Sequence, residues 1–224
     1  MCGRYALNQN AHDLARVFSL VAIADVAPRF NIAPSMPVLA IREAPQGRVG
    51  ELMTWGLEPA WASKDPEARR LPKPINARAE TLAQRPMFRQ AFRSRRCILP
   101  ASGFYEWRRP PGAPTQPFYI HPADGTVFAL AGLYEPGRDG GPATCCIVTT
   151  EANELMAKIH DRMPVILDAA DVARWLDPNT APADLAALLV PAPADEMLAH
   201  PVSTRVNAAR NDEPALIEPE PDAG

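Results

Sequence analysis

The stretch ILPASGFYEW, residues 98–107, ends in the alternating pattern of a β-strand. Phe104 and Glu106 point to one face and Tyr105 and Trp107 to the other, because successive side chains alternate along a strand. A carboxylate on an otherwise apolar strand is costly to bury unless it has a partner or a function. Glu106 is therefore either half of a structural ion pair or an acid–base group, and the pattern alone favours neither.

Further apolar or β-rich segments surround this stretch, at residues 37–42, 49–57, 97–99, 118–121, 127–134, 144–150, 165–167 and 202–206. Short helical patterns lie among them, at residues 11–21, 77–84, 87–93, 153–158, 171–176 and 183–190. Strands and helices do not alternate regularly, which argues against a parallel sheet. We predict an α+β fold with a strongly curved antiparallel β-sheet or β-barrel-like core and short flanking helices.

The domain organisation follows from length and from the composition of the C-terminal end. A chain of 224 residues without an internal repeat or a linker is long enough for one domain with a substantial core. Its 26 prolines favour loops and short strands over long helices. We predict a single domain over residues 1–211 and a flexible, acidic, Pro-rich tail over residues 212–224.

Charge and cysteine usage limit the function classes. The net charge of −3 excludes a polycation, so nucleic-acid binding would need a local basic patch. The start MCGRYALNQN lacks the pattern of a signal peptide, and no apolar run is long enough for a membrane span. The four cysteines and four histidines lack the spacing of a zinc site. We expect a cytoplasmic monomer with no metal, no cofactor and no membrane partner.

Cys2 has two adjacent nucleophiles if Met1 is removed. Methionine aminopeptidases remove Met1 when the next residue is small. The product has an α-amine and a thiol on adjacent carbons, and both have usable nucleophilic fractions near neutral pH. The amine can condense with an aldehyde, and the tethered thiol can then close a five-membered thiazolidine ring. The amine could instead act as base for the thiol, as in N-terminal nucleophile hydrolases. A buried, inert core cysteine is the third interpretation.

Two other segments carry candidate site residues. Asn76, in PINARAET at residues 74–81, precedes a predicted helix and suits an N-cap there. IHDRMPVIL, at residues 159–167, carries His160 and Arg162 between a predicted helix and a predicted strand, where functional residues tend to lie. His160 would titrate in the working range and Arg162 could bind a phosphate.

Arginines and aromatic residues are interleaved along the chain, which suits single-stranded nucleic acid because bases stack and phosphates pair with cations. The residues of this set are Arg4, Arg29, Arg78, Arg162 and Arg205 with Phe30, Trp55, Trp61, Tyr105 and Trp107. Taken singly, each aromatic side chain is better explained by a place in the core. The basic run RQAFRSRR, at residues 89–96, could face phosphates or solvent, and we predict a solvated face.

Several motifs in one order give the chain a recognisable family resemblance. They are MCGRYAL, RFNIAP, WGLEPAWA, INARAET, ILPASGFYEW, IHDRMPVIL and HPVSTRVN, which span residues 1–207. Together they resemble the SOS response-associated peptidase family. The resemblance implies a curved, barrel-like β core and a protein that senses abasic sites in single-stranded DNA and binds them covalently as a thiazolidine, with no cofactor. It also implies peptidase activity towards its own N terminus and lyase-type activity, and a nucleoid-associated location when bound to DNA.

The same resemblance assigns roles to individual residues. It makes Cys2 the nucleophile, with Asn76 orienting the α-amine or the sugar oxygens. It makes Glu106 the proton relay and His160 the residue that assists sugar ring opening. Arg4, Arg78 and Arg162 would bind flanking phosphates, and Trp61 and Trp107 would shape the surface on which bases stack. Two alternatives remain open: a thiol peptidase acting on other proteins, and a module that binds single-stranded DNA without a covalent bond.

Overall fold

In a computed structural model, which describes residues 2–59, 61, 72–138 and 140–220, the chain is built mainly of β-strands. The strands are β1 (Tyr5–Leu7), β2 (Ala22–Ile23), β3 (Arg29–Ile32), β4 (Pro37–Ala44), β5 (Gly47–Trp55), β6 (Asn76–Arg78), β7 (Arg96–Ala101), β8 (Gly103–Arg108), β9 (Gln116–Pro122), β10 (Phe128–Glu135), β11 (Thr144–Glu151), β12 (Arg162–Pro164), β13 (Ile166–Leu167) and β14 (Met197–Pro201). The α-helices are α1 (Ala11–Val17), α2 (Arg89–Ser94), α3 (Ala169–Leu176) and α4 (Pro182–Ala187). Within the described residues, no helix is long and apolar enough to span a membrane.

The strands form two curved sheets. The smaller has the order β14-β9-β8-β1-β3, and the larger follows β12-β11-β10-β7-β4-β5-β2. In the larger sheet β5 also pairs with β11, through Thr54↔Thr144 and Trp55↔Cys145, so the pairings around β11, β10, β7, β4 and β5 form a closed circuit. Most of these pairings are antiparallel, and the predicted α+β class with a barrel-like core is confirmed.

The alternation in β8 divides its side chains between two apolar clusters. Phe104 belongs to the main core, whereas Tyr105 packs with Tyr119 and Val206 in a second cluster between the smaller sheet and the C-terminal segment. Gly103, at the start of β8, allows this close packing. A Cβ there would lie 2.4 Å from the Tyr119 ring and 2.6 Å from the Ile120 carbonyl oxygen. Only glycine lets β8 approach β9 this closely.

Arg96 corrects the prediction that the basic run at 89–96 is wholly solvated, because this residue is only 5% exposed. Its Nε and Nη2 donate to the Trp175 and Asp177 carbonyls at 2.6 and 2.7 Å. Its Nη1 donates to the Phe92 and Arg93 carbonyls at 2.9 and 2.6 Å. These carbonyls belong to the C-terminal ends of α2 and α3, where carbonyl oxygens lack N–H donors from their own helix and carry partial negative charge. One guanidinium therefore caps two helices.

Replacing Arg96 with methionine should lower the free energy of unfolding by about 3 kcal/mol, because the buried carbonyls lose their donors while the apolar volume is roughly kept. Urea denaturation monitored by tryptophan fluorescence measures this loss. Arg93→Met is the matched control, since Arg93 is exposed on α2 and its replacement should change stability by less than about 0.5 kcal/mol. Equal stability of the two variants would refute the capping role of Arg96.

Two local predictions were wrong. Residues 77–84 do not form an α-helix: Asn76 lies in β6 and the following turn is a 3-10 helix at Ala79–Thr81, so Asn76 is not an N-cap. The last strand is β14 rather than residues 202–206, which include most of a 3-10 helix at Thr204–Asn207. In both places, pairing with a distant strand outweighed the local pattern: β6 pairs with β11, and β14 pairs with β9.

The predicted flexible tail at 212–224 also needs correction over residues 212–220. The Asp212 carboxylate accepts hydrogen bonds from Arg29 Nε and from the Phe30 and Asn31 main-chain N–H groups, at 2.7, 2.5 and 3.1 Å. Leu216 is fully buried in the second cluster. Acidic composition suggested a solvated tail, but one carboxylate and one leucine attach this segment to β3 and the smaller sheet. Residues 221–224 lie outside the described residues.

Candidate functional site

Strand pairing brings Cys2 close to Glu106. β1 and β8 are antiparallel, with Tyr5 opposite Phe104, so continuing the register brings Glu106 opposite the residues that precede β1. The Tyr105 N–H donates to the Arg4 carbonyl at 2.9 Å, which extends the pairing in that direction. Glu106 is 2% exposed and Cys2 is fully buried. The predicted nucleophile and the predicted proton relay are thus neighbours.

Asn76 links the N-terminal segment to the larger sheet. Its Nδ2 donates to the Cys2 carbonyl oxygen at 2.8 Å. Its Oδ1 is buried and has no hydrogen-bond partner among the described residues. A buried amide oxygen without a donor is costly, so this atom is well suited to accept a hydrogen bond from a group that enters the site.

The larger sheet presents a row of polar side chains on one face. β11 pairs with β6 through Asn76↔Ile147 and Arg78↔Thr149, and with β12 through Arg162↔Glu151. Partners in register, and residues two apart along a strand, project from the same face. Asn76, Arg78, Thr149 and Arg162 therefore share the face that carries Asn76 towards Cys2.

The thiol of Cys2 is held in its protonated form. Burial raises the pKa of Cys2 well above its usual range, and the nearby Glu106 carboxylate raises it further. Burial likewise raises the pKa values of Cys97, Cys145 and Cys146, which lie in the core. A neutral thiol beside a carboxylate can transfer its proton when it adds to an electrophile, but it is not ionised to a thiolate beforehand.

His160 and Glu106 line one cavity. The cavity has a volume of about 300 Å³, and its remaining lining residues are Trp107, Arg109 and Ile159. His160 Nδ1 lies 3.0 Å from the Arg162 N–H and 2.9 Å from Asp161 Oδ1. A main-chain N–H can only donate, so the neutral ring accepts it at Nδ1 and keeps its proton on Nε2. The Asp161 carboxylate, whose side chain is 87% exposed, lies at the same ring nitrogen and can accept a hydrogen bond from it only when Nδ1 carries a proton.

A larger groove, of about 750 Å³, runs beside α3 between the turn after β9 and the segment that precedes β14. None of the predicted site residues lines it. Among the described residues, its walls carry carboxylates, one threonine and aliphatic side chains but no cysteine or histidine, so the smaller cavity is the candidate reaction site.

Two of the predicted phosphate-binding arginines have partners within the protein. Arg4 Nη1 donates to Asn31 Oδ1 and to the Val206 carbonyl, at 2.8 and 2.7 Å, and so joins β3 to the C-terminal segment. Arg162 donates to the Glu80 carboxylate and to the Thr149 carbonyl. Arg78 is exposed on the face shared with Asn76.

The two predicted stacking residues differ in their surroundings. Trp107 is partly buried, lines the cavity with His160 and donates its indole N–H to Asn207 Oδ1 at 2.7 Å. Trp61 is 43% exposed and lies beside residues that the structure does not describe. The geometry therefore ties Trp107, but not Trp61, to the candidate site.

The sequence analysis missed two residues of this site. Thr149 is fully buried and its Oγ1 has no hydrogen-bond partner among the described residues, on the same sheet face as Asn76. Arg109 lines the cavity of Glu106 and His160. A threonine within the apolar run CCIVTTE gave no local signal, whereas Arg109, at the end of FYEWRR, could have been inferred from its nearness to Glu106.

The fold and the site define a class: curved-sheet α+β proteins with a cysteine at position 2 set beside an asparagine and a buried glutamate, next to a cavity with a histidine. The chain belongs to the SOS response associated peptidase (SRAP) family, whose model matches residues 1–209.

Similar proteins cover nearly the whole chain. "Abasic site processing protein YoqW" of Bacillus subtilis (strain 168) is 43% identical over an alignment of 226 residues that covers 97% of this chain and 99% of the relative. "Abasic site processing protein YedK" of Escherichia coli (strain K12) is 31% identical and covers 98% and 100% of the two chains. A solved structure of a protein from Bacteroides thetaiotaomicron matches with a TM-score of 0.87 and 26% identity, over 98% of this chain and 100% of that one.

Proposed function

We propose that this chain processes abasic sites in DNA, and that Cys2, once Met1 has been removed, joins the ring-opened sugar as a thiazolidine. The single observation that carries this proposal is the placement of Cys2 beside Asn76 and the Glu106 carboxylate. The names of the relatives support the substrate class, since they are called abasic site processing proteins.

The chemistry needs no metal, oxidant or cofactor. The neutral α-amine of Cys2 attacks the sugar aldehyde, and loss of one water gives an imine. The thiol then adds across the C=N bond: sulfur bonds to carbon, and the thiol proton ends on nitrogen. Because amine and thiol share one residue, the second step is intramolecular and therefore strongly favoured.

The neighbouring side chains fit defined steps of this scheme. Glu106, next to the thiol, relays the proton during loss of water and ring closure. Asn76 donates a hydrogen bond to the Cys2 carbonyl, and its Oδ1 can accept one from the amine or from a sugar hydroxyl. His160, which lines the same cavity as Glu106, assists opening of the sugar ring. Each of these groups can act on one deoxyribose bound between them.

We propose single-stranded DNA as the form that is bound, since a reactive sugar has to reach a recessed thiol and a single strand bends freely. Exposed Arg78 and the polar sheet face supply contacts for phosphates, and Trp107 supplies an aromatic surface beside the cavity. A few such contacts, on a chain of net charge −3, predict modest, salt-sensitive affinity for undamaged strands.

A thiol peptidase acting on other proteins is less well supported. Such an enzyme needs a thiolate nucleophile, but burial and Glu106 both raise the pKa of the Cys2 thiol. Addition to an imine places no such demand, because the imine is itself reactive and the proton can be transferred during the step. Turnover of peptide substrates without DNA would favour the peptidase.

The proposal is tested by incubating the protein with an abasic oligonucleotide, followed by denaturing electrophoresis and intact-mass measurement. We expect a denaturation-resistant adduct with the summed mass of protein lacking Met1 and DNA, less one water. An imine has the same mass, so iodoacetamide under denaturing conditions distinguishes the two. A thiazolidine leaves three of the four cysteines reactive, whereas an imine leaves all four. An oligonucleotide whose abasic aldehyde has been reduced with borohydride is the control, and adduct formation with it would refute the proposal.

A further inference from the structure

The guanidinium of Arg162, the group that a DNA phosphate would contact, already has an anionic partner in the protein. Its Nη1 and Nη2 donate to the two carboxylate oxygens of Glu80, at 2.5 and 3.0 Å. Nη2 also donates to the Thr149 carbonyl at 2.7 Å. This is the bidentate geometry that arginine uses for carboxylates and phosphates alike. The two anions therefore compete for the same donors.

The two members of the pair differ in exposure. The Arg162 side chain is 14% exposed and is anchored to β11 by the Thr149 carbonyl, whereas the Glu80 side chain is 52% exposed. Glu80 lies in the 3-10 helix that follows β6. Its hydrogen bond with Arg162 lowers the pKa of Glu80, so it is ionised at neutral pH. Glu80 can turn into water while the arginine stays in place.

We propose that Glu80 is an internal counter-ion that a DNA phosphate has to displace from Arg162, and that it thereby weakens binding to undamaged single strands. This inference rests on the proposed function, because it assumes that Arg162 contacts DNA. The Arg162–Glu80 pair makes reversible binding of any strand weak, so that stable binding depends on the covalent step. When an undamaged strand binds, Arg162 exchanges its ion pair with Glu80 for one with a phosphate, so the net gain in binding free energy is small. An abasic strand is retained by its covalent bond to Cys2.

The Glu80→Gln substitution tests this directly. It keeps the size and polarity of the side chain but removes the competing charge. Fluorescence anisotropy with an undamaged single-stranded oligonucleotide should show affinity higher by about 3- to 5-fold, the upper part of the range for an exposed ion pair. The slope of log K against log salt should become steeper by up to about 0.7, because the phosphate then releases a cation with no carboxylate set free.

Glu151 provides a matched control. It is exposed and lies opposite Arg162 in the β11–β12 register, so Glu151→Gln makes the same change of net charge close by. A gain in affinity confined to Glu80→Gln supports the competition, whereas equal gains in both variants would reduce it to a general charge effect and overturn the proposal. In an Arg162→Gln background, Glu80→Gln should have no effect, since the competition acts through that arginine.

Other outcomes are equally decisive. Unchanged binding by Glu80→Gln, with an unchanged melting temperature, would overturn the proposal, and weaker binding would show that Glu80 positions Arg162 instead of competing for it. If the melting temperature falls, Glu80→Ala is measured in the same way and its binding decides. Failure of the proposed function is separate: it would appear as absence of a Cys2-dependent adduct with abasic DNA, whatever Glu80 does.

Discussion

The Cys2→Ala variant should lose the denaturation-resistant adduct with abasic DNA, with a yield lower by more than about 100-fold, because the ring-closing thiol is gone. The α-amine remains, since alanine is also small enough to permit removal of Met1. Cys2→Ala should therefore still form an imine, which borohydride traps as a stable secondary amine. Gel mobility with and without borohydride measures both species.

This pair of measurements separates the roles of the two nucleophiles of residue 2. Cys146→Ala is the control, because Cys146 is a fully buried cysteine of the main core and should retain full adduct formation. Cys2→Ser should behave like Cys2→Ala, since a hydroxyl closes a much less stable ring. A full yield of untrapped adduct from Cys2→Ala would show that the covalent link does not involve the sulfur.

The Glu106→Gln variant should form the same adduct about 100- to 1,000-fold more slowly, because a neutral amide of nearly the same shape cannot relay protons. Single-turnover rates on an abasic oligonucleotide, measured across a pH series, give the effect. A proton-relay role also predicts that the pH dependence due to the carboxylate disappears, which a purely structural role would not produce.

Glu135→Gln is the matched control for a buried carboxylate. Glu135 is 3% exposed, lies on β10, pairs with Arg95 at 2.7 Å and does not line the candidate cavity. Its replacement should lower the free energy of unfolding without changing the adduct rate. Equal slowing by both substitutions would indicate that loss of stability, and not loss of a proton relay, explains the result for Glu106.

Much of the strand framework could be predicted from local pattern. The run SGFYEW was expected to alternate, and β8 does so, with Phe104 in the main core and Tyr105 in the second cluster. Alternation is a property of every strand that has two different faces, so it is visible without knowledge of its partners. The curved, barrel-like core was likewise expected, and the closed circuit of strand pairings agrees with it.

Contacts between residues remote in the chain determined several local environments that the sequence pattern could not predict. Asn76 looked like a helix cap, but pairing with β11 makes it a strand residue that contacts Cys2. Arg96 looked solvated, but two helix ends meet at its guanidinium. The acidic segment after residue 211 looked frayed, but Asp212 and Leu216 attach it to the protein. Each of these outcomes depends on a partner remote in the chain.

The sequence by itself determined the chemistry available at position 2, the alternation of β8 and the family motifs, because these depend on residue identity and local order. Only the tertiary structure decided that Glu106 lies beside Cys2, that Thr149 and Arg109 belong to the candidate site, and that Arg162 is paired with Glu80. The physical reason is that burial, proton affinity and ion pairing arise from groups brought together by strand register, which no single segment encodes.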